Sequence, residues 1–253
     1  MVYKNNYNAE KLVSVRKIRS LVKNKKFLKA STGFLIAIIS LILIKLNHIL
    51  VNRYLYIRDI KLKYCSYLKV PFIGERVIEI PLGVYFVSKC TNPSVDTVLE
   101  VGNVLSHYYD YEHVTVDKYE HEKNVMNIDI VDYNPNIKYS RILSISTIEH
   151  IGFDEEIKEY GKAQKAITKL LGLLKEDGKL LITVPIGVNP EIDEIVKTNK
   201  YGFQEYFMKR ISWFNTWVET TTEDAFNYKY GKKYPAANSL AILLYTKEVV
   251  KSP

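Results

Sequence analysis

The sequence predicts an α/β fold built on a doubly wound, mostly parallel sheet, and three observations predict it. Val98-Leu99-Glu100-Val101 and Val114-Thr115-Val116-Asp117 are short apolar runs that carry a carboxylate at or near their ends. The interval between them is what one short helix needs in a βαβ unit. Further apolar runs follow with short connections in β-α-β-α order, the pattern of a parallel sheet covered on both faces.

Taken in order, 98–103 reads as a strand that stops where Gly102 lets the chain turn. The second run closes on Asp117, and a third, 127–132, carries Asp129, with Asp132 as its neighbouring competitor. A fourth, 141–146, leads into Thr147-Ile148-Glu149-His150. Periodicity predicts a helix over about 155–175 that closes at Asp177-Gly178, and 179–184 makes a fifth strand that Pro185 ends. Tyr234-Pro235-Ala236-Ala237-Asn238 then turns into a last strand at 240–246. Acids at the carboxyl ends of neighbouring parallel strands overhang the crevice where such sheets bind nucleotide-like ligands, and there they accept hydrogen bonds from ligand hydroxyls.

In this order the runs 98–103 and 116–117, the Asp129 segment, 145–152 and 180–185 resemble the successive motifs of class I S-adenosylmethionine-dependent methyltransferases. The variant Leu99-Glu100-Val101-Gly102-Asn103-Val104-Leu105-Ser106-His107-Tyr108 is similar to a poorly characterised prokaryotic branch. In that branch an Asn-Glu-Arg-like stretch and Glu-Ile-Pro precede the first strand, here Gly74-Glu75-Arg76 and Glu79-Ile80-Pro81. The resemblance covers roughly residues 53–247. It implies a Rossmann-like sheet of seven strands whose last strand pairs antiparallel, S-adenosyl-L-methionine as the cofactor, and methyl transfer as the activity. It assigns Asp117 to the ribose hydroxyls, Glu100 to the amino-acid end or to holding the loop, and Asp129 with the Ile130 backbone to the adenine edge. Gly102, Asn103, Lys118, Ser146 and Thr147 complete the implied cofactor site. One departure is that Val104 and Ser106 stand where the usual glycine-rich loop has further glycines. Gly-x-x-x-x-Gly-Lys is absent, which argues against a phosphate-binding loop rather than against a phosphate-free cofactor.

A sulfonium methyl group is already activated, so the protein has to align a nucleophile and remove a proton from a hydroxyl or amine. His150, just past the fourth strand, is the candidate base, since imidazole titrates near neutrality. Glu149 beside it, without a third ligand, does not make a metal site. His107 and Tyr108 are candidates for the pocket wall, whereas Tyr109 and His113 read as packing or capping residues. The loop at 187–193 resembles a rim of the acceptor pocket, and Trp213, Phe214 and Trp217 read as either stacking platforms or core. The reading is O-methylation of a small or membrane-proximal acceptor, a sugar or a lipid-linked glycan. The alternative is a non-catalytic S-adenosylmethionine-binding module for interaction or sensing at the membrane. Tyr119 and Lys123 have the Tyr-x-x-x-Lys spacing of some dehydrogenases but follow the wrong strand.

A chain of 253 residues with 47% apolar content can bury one full α/β core. Two cysteines, Cys65 and Cys90, supply neither a disulfide framework nor a zinc site. The formal charge of +8 is concentrated in an extension, 1–63, whose many bases include Arg16, Lys17, Arg19, Lys23, Lys25, Lys26, Lys29, Arg53, Arg58, Lys61 and Lys63, against only Glu10 and Asp59. This extension is expected to be helical and partly hydrophobic, with the methyltransferase domain spanning 64–253. Its uncharged run, 30–44, would reach about 22 Å as a helix, short of a hydrocarbon core of about 30 Å. The preceding basic cluster would keep the N-terminus in the cytoplasm and so send a spanned domain outside, away from the cofactor. A peripheral attachment of residues 9–51 to an anionic inner membrane face is therefore expected, with the domain cytoplasmic. A helix buried in the domain or in a dimer contact is the competing reading, and nucleic acid is the less favoured partner of the basic segment.

Overall fold

The computed structural model describes residues 39, 42, 54–63, 74–90 and 97–249. Most of the expected extension lies outside these residues; Ile39 and Ile42 are helical and exposed. Over 54–63 the expected helix is replaced by an antiparallel hairpin of β1 (Tyr54–Ile57) and β2 (Ile60–Lys63), turned at Arg58-Asp59. The reason is the side-chain period: Leu55, Ile57 and Leu62 alternate with exposed neighbours, and alternation of two suits a strand.

The remaining elements are α1 (Arg76–Ser88), β3 (Val98–Val101), β4 (Val114–Asp117), β5 (Val125–Asn127), β6 (Tyr139–Ile145), α2 (Lys162–Leu173), β7 (Leu174–Pro185), α3 (Pro190–Lys197), β8 (Gln204–Arg210), β9 (Trp217–Thr220), α4 (Thr222–Phe226) and β10 (Ser239–Thr246). They form one large sheet in the order β5-β4-β3-β6-β7-β10-β8-β9. The pairs from β5 to β7 are all parallel, while β10 runs antiparallel to both β7 and β8, and β9 antiparallel to β8. The mostly parallel Rossmann-like sheet with an antiparallel late strand is as expected. It has eight strands rather than seven, because Trp217–Thr220 adds an outer strand.

The winding is also lighter than a full β-α-β-α alternation. A single 3-10 turn, Leu105–His107, joins β3 to β4, and no helix joins β4 to β5 or β5 to β6. The helix expected over 155–175 begins only at Lys162. Gly161 sits at φ +84°, outside the helical region, and Glu155 is turned to ion pairs with Lys118 and Lys162. It ends at Leu173 because Leu174 already pairs with Tyr139 in the sheet. The third strand closes at Asn127, so Asp129 stands in the turn beyond it.

Alternation sorts the core onto two faces. Leu180, Ile182, Val184, Ala241 and Leu243 face one cluster with α2 and α3 residues. Leu181, Leu240 and Ile242 face the other, with α1 and the hairpin. On that second face α1 approaches β6 closely: a Cβ at Gly83 would lie 2.7 Å from Ile145 Cδ1 and 3.1 Å from Leu105 Cδ2. The close packing brings the first turns of α1 to the carboxyl edge of β6 and β7. Thr183 and Ser146 hydroxyls there both donate to Glu79 Oε1.

Candidate functional site

From β3 the chain steps outward through β4 and β5 and then returns to β6 on the other side of β3, so the winding reverses between β3 and β6. Side chains diverge at such a switch point and leave a crevice beyond the strand ends. A cavity of about 290 Å³ lies there. Val101 and Gly102 from the end of β3, Asp117 and Lys118 from β4, Asp129 and Ile130, and Ser146, Thr147 and His150 beyond β6 all line it. A larger cleft of about 450 Å³ sits at the opposite edge of the sheet, around Gly202, Gln204 and 244–248. The smaller cavity is the candidate site, because the ionisable groups converge on it.

The loop after β3 is held from below. Glu100 is fully buried; its Oε1 accepts from the N–H groups of Val104 and Leu105 at 3.0 and 2.7 Å, and its Oε2 lies 2.7 Å from His113 Nε2. Of the two roles implied for Glu100, the geometry matches holding the loop, and Glu100 does not line the cavity. His113 packs, as its sequence position suggested, and half-exposed His107 bonds Glu120 at 3.2 Å. Gly102 sits at φ +84°, and a Cβ there would fall 2.0 Å from Thr147 Oγ1. Only glycine permits both that conformation and that approach.

Asp117 is pinned by its own backbone surroundings. Oδ1 accepts from the N–H of Tyr119 and of Glu120, both at 2.8 Å, and Oδ2 accepts from the N–H of Asn103 at 3.2 Å. A carboxylate offers about four acceptor positions, so capacity remains on Oδ2 for a ligand hydroxyl. Asn103 spans the turn, donating from Nδ2 to Glu120 Oε2 at 2.6 Å and accepting from Ser106. Glu120 also lines the cavity and was not singled out from the sequence.

Asp129, rather than exposed Asp132, reaches the cavity. It belongs to a square of charges: Lys118 and Lys162 each bridge Asp129 and Glu155, at 3.1 and 2.6 Å from Lys118 and 2.7 and 2.6 Å from Lys162. Burial opposes ionisation of Asp129, but hydrogen bonds from Lys162, the Val131 N–H and Lys118 outweigh it and hold the carboxyl below its usual range. Burial likewise opposes ionisation of Glu155, and Lys118 and Lys162 overcome it. The hydrogen bond from Lys118 to Glu155 raises the ammonium above the ordinary lysine range. Sequence reading found Lys118 and Asp129 but not Glu155 or Lys162, which lie on the far side of the winding reversal.

His150 stands half-exposed at the cavity rim, its Nδ1 2.5 Å from Asp154 Oδ2 and its Nε2 3.7 Å from Glu149 Oε1. Behind it lies an acidic group whose members, Glu75, Glu79 and Glu149, come together only in the folded chain. Glu149 is 1% exposed, and burial, reinforced by Glu79 and Glu75, pushes its carboxyl well above the usual range. Burial and the neighbouring Glu79 push Glu75 up as well. Arg76 is committed to Glu79 at 2.6 Å. The backbone of Glu149 is fixed from α3, whose capping residue Asn189 donates to the Glu149 carbonyl at 2.9 Å. Tyr230, against Gly187 of the loop after β7, is raised by burial and by Glu75 and Glu149. Among the residues read as stacking candidates, Trp217 is core, while Trp213 and Phe214 are exposed at the same edge of the sheet.

No family model matches the chain, and no curated protein matches it. Solved structures similar to it include the N-methyltransferase NodS from Bradyrhizobium japonicum in complex with S-adenosyl-L-homocysteine, at 9% identity and a TM-score of 0.34 over 60% of this chain and 78% of that one. An rRNA methylase from Streptococcus thermophilus is similar at 10% identity and a TM-score of 0.41, over 67% of this chain and 97% of the other. A SAM-dependent methyltransferase from Archaeoglobus fulgidus is similar at 13% identity and a TM-score of 0.42, over 66% and 90%.

Proposed function

We propose that the protein is an S-adenosylmethionine-dependent methyltransferase whose acceptor enters beside His150. The observation that carries this reading is the convergence, on one crevice at the winding reversal, of a glycine whose Cβ has no room, a strand-end carboxylate with spare acceptor capacity, and a third acid one strand further out. Those features fit a cofactor with ribose hydroxyls, an adenine and no phosphate. When bound, the cofactor supplies a methyl group on a positively charged sulfur. The chain's own part is to seat it: Asp117 accepts from ribose, Asp129 with the Ile130 backbone borders adenine, and Ser146 and Thr147 close the side opposite the loop. His150, held by Asp154, takes the proton that the acceptor's hydroxyl or amine must lose. The sequence reading favours a hydroxyl of a small or membrane-proximal sugar- or lipid-linked acceptor. A non-catalytic cofactor-binding module is the second reading, and it needs the same crevice without a proton acceptor at its rim.

Calorimetry on the full chain should give micromolar binding of S-adenosylmethionine or its demethylated product, near −8 kcal/mol. Asp117→Ala is expected to weaken it by about 1 to 3 kcal/mol through lost hydrogen bonds. Unchanged affinity in that variant, or preference for NADH in the parent, would sink the assignment.

Peripheral membrane attachment through residues 9–51 belongs to the same proposal and rests on the sequence. Full-length protein should float with anionic liposomes and bind neutral ones less, each Lys or Arg near the surface contributing about 1 kcal/mol. A fragment that begins near Asn52 should stay in solution and keep its cofactor affinity. Liposome binding by that fragment, or none by the full chain, removes this part of the proposal.

A further inference from the structure

Among the described residues, neither carboxyl oxygen of Glu149 has a hydrogen-bond partner on another residue, although the side chain is 1% exposed and both oxygens are shielded from solvent. Groups of this kind are normally satisfied, and an orphan at a functional edge marks a missing partner. The imidazole of His150 approaches it from the rim, with Nε2 3.7 Å from Oε1, beyond hydrogen-bond reach. From α1 it is faced by Glu75, Glu79 and Arg76, and Tyr230 couples to it from the loop before β10. Arg76 offsets these acids only in part, because its hydrogen bond goes to Glu79, whose other oxygen is taken by Ser146 and Thr183. A compact acidic group with one committed cation and an orphaned carboxyl is chemically suited to nitrogen donors that carry positive charge.

We infer that the methyl acceptor is a primary or secondary amine, bound through its N–H groups to Glu149 beside His150. This rests on the methyl-transfer reading and moves the target atom from the oxygen that the sequence favours to nitrogen. An alcohol is neutral and leaves the three clustered carboxyls uncompensated, whereas an ammonium brings a positive charge and donors for both oxygens of an ionised Glu149. Burial disfavours the charged carboxyl and an ammonium beside it favours that form, so binding an ammonium is expected to shift protons from Glu149 to solvent and leave a carboxylate–ammonium pair. The same burial then draws a proton from the ammonium onto Glu149, freeing the nitrogen lone pair. That lone pair forms the new carbon–nitrogen bond as the methyl–sulfur bond breaks, and the electron pair stays on sulfur. The methylated product holds the positive charge that the sulfonium gave up, and Glu149 keeps the proton. His150 is then free to guide the leaving ammonium rather than to abstract its proton.

The test titrates the full-length protein, saturated with S-adenosylhomocysteine, with hexylamine and with hexan-1-ol, in buffers of differing ionisation enthalpy. Hexylamine should bind at least about tenfold more tightly than hexan-1-ol and release protons on binding, and Glu149→Gln should remove both the preference and the release. Equal affinities, a preference for the alcohol, or an amine preference that survives Glu149→Gln would overturn the inference. The comparison of the two probes on the parent protein stands without any variant. S-adenosylhomocysteine binding is measured first, on its own: binding with no amine preference fells the amine site alone. Amine preference without S-adenosylhomocysteine binding fells the methyl-transfer reading instead.

Discussion

Gly102→Ala is expected to weaken S-adenosylmethionine binding by about a hundredfold or more, since moving a wall of the cavity breaks two or more of the hydrogen bonds that seat the ligand, each about 1 to 1.5 kcal/mol. Two costs coincide at this residue. The backbone sits at φ +84°, and the new methyl would fall 2.0 Å from Thr147 Oγ1 and 2.8 Å from its Cγ2. The left-handed conformation costs an alanine about 1 kcal/mol. The overlap is worse, because Thr147 cannot retreat freely: its hydroxyl donates to the Ile145 carbonyl at 3.0 Å, anchoring it to the end of β6. One wall must move, and both walls border the cavity. Adding Thr147→Ala removes the two nearest atoms and should restore part of the affinity, leaving the conformational cost and a 2.9 Å approach to the Cβ at position 147 in place. Calorimetry on the single and double variants checks this, with melting temperatures to confirm folding. Wild-type affinity in Gly102→Ala would mean that the loop after β3 is not the cofactor seat.

His150→Ala carries the second large effect. If the imidazole accepts the proton of a hydroxyl acceptor, turnover should fall by about a hundredfold or more while cofactor affinity stays nearly intact. The geometry lends the residue that role through Asp154, which holds Nδ1 at 2.5 Å, while Nε2 lies 3.7 Å from Glu149 Oε1. Asp154→Asn should then lower turnover less than His150→Ala and in the same direction, as loss of an orienting partner does. With an amine acceptor and Glu149 as proton acceptor, the order changes: Glu149→Gln becomes the more damaging substitution and His150→Ala costs only a few-fold. Measuring both variants on one acceptor decides between the two proton routes. A radiolabelled methyl group that no cell-extract fraction accepts would favour the non-catalytic module.

Much of this site could be read from local pattern. The carboxylates at 100, 117 and 129 and the glycine at 102 announce themselves because strand ends and tight turns demand particular residue types within a few positions. Tyr54-Leu55-Tyr56-Ile57 and Ile60-Lys61-Leu62-Lys63 also carry a strand signal, an alternation of two across an Arg-Asp turn, which the basic charge of the region concealed. The outer strand Trp217–Thr220 is four residues long and pairs an apolar with a polar residue on each face, too little for periodicity to detect. The acidic group behind His150 is illegible for a different reason. Glu79 meets Thr183 across 104 residues and Ser146 across 67, contacts made only when α1 settles on β6 and β7. Lys162 joins Asp129 in the same way, since a helix expected to begin at 155 gives no reason to single out its eighth residue.

The hairpin at the start of the described domain has a bearing on where the molecule can be cut. Its strands send Leu55, Ile57 and Leu62 into the cluster that backs α1, and its turn engages the outermost part of the large sheet. The Arg58 N–H donates to Glu219 of β9 at 3.1 Å, and the Arg58 guanidinium lies 5.3 Å from the centre of the Tyr206 ring. A strand with an open side is a template for pairing with other chains, and proteins shield such edges with covering segments. The ten residues from Tyr54 to Lys63 thus belong to the domain they precede: a clone trimmed at residue 64 loses the Arg58 contacts to β8 and β9 along with part of its core, and sticky, self-associating material is the expected yield.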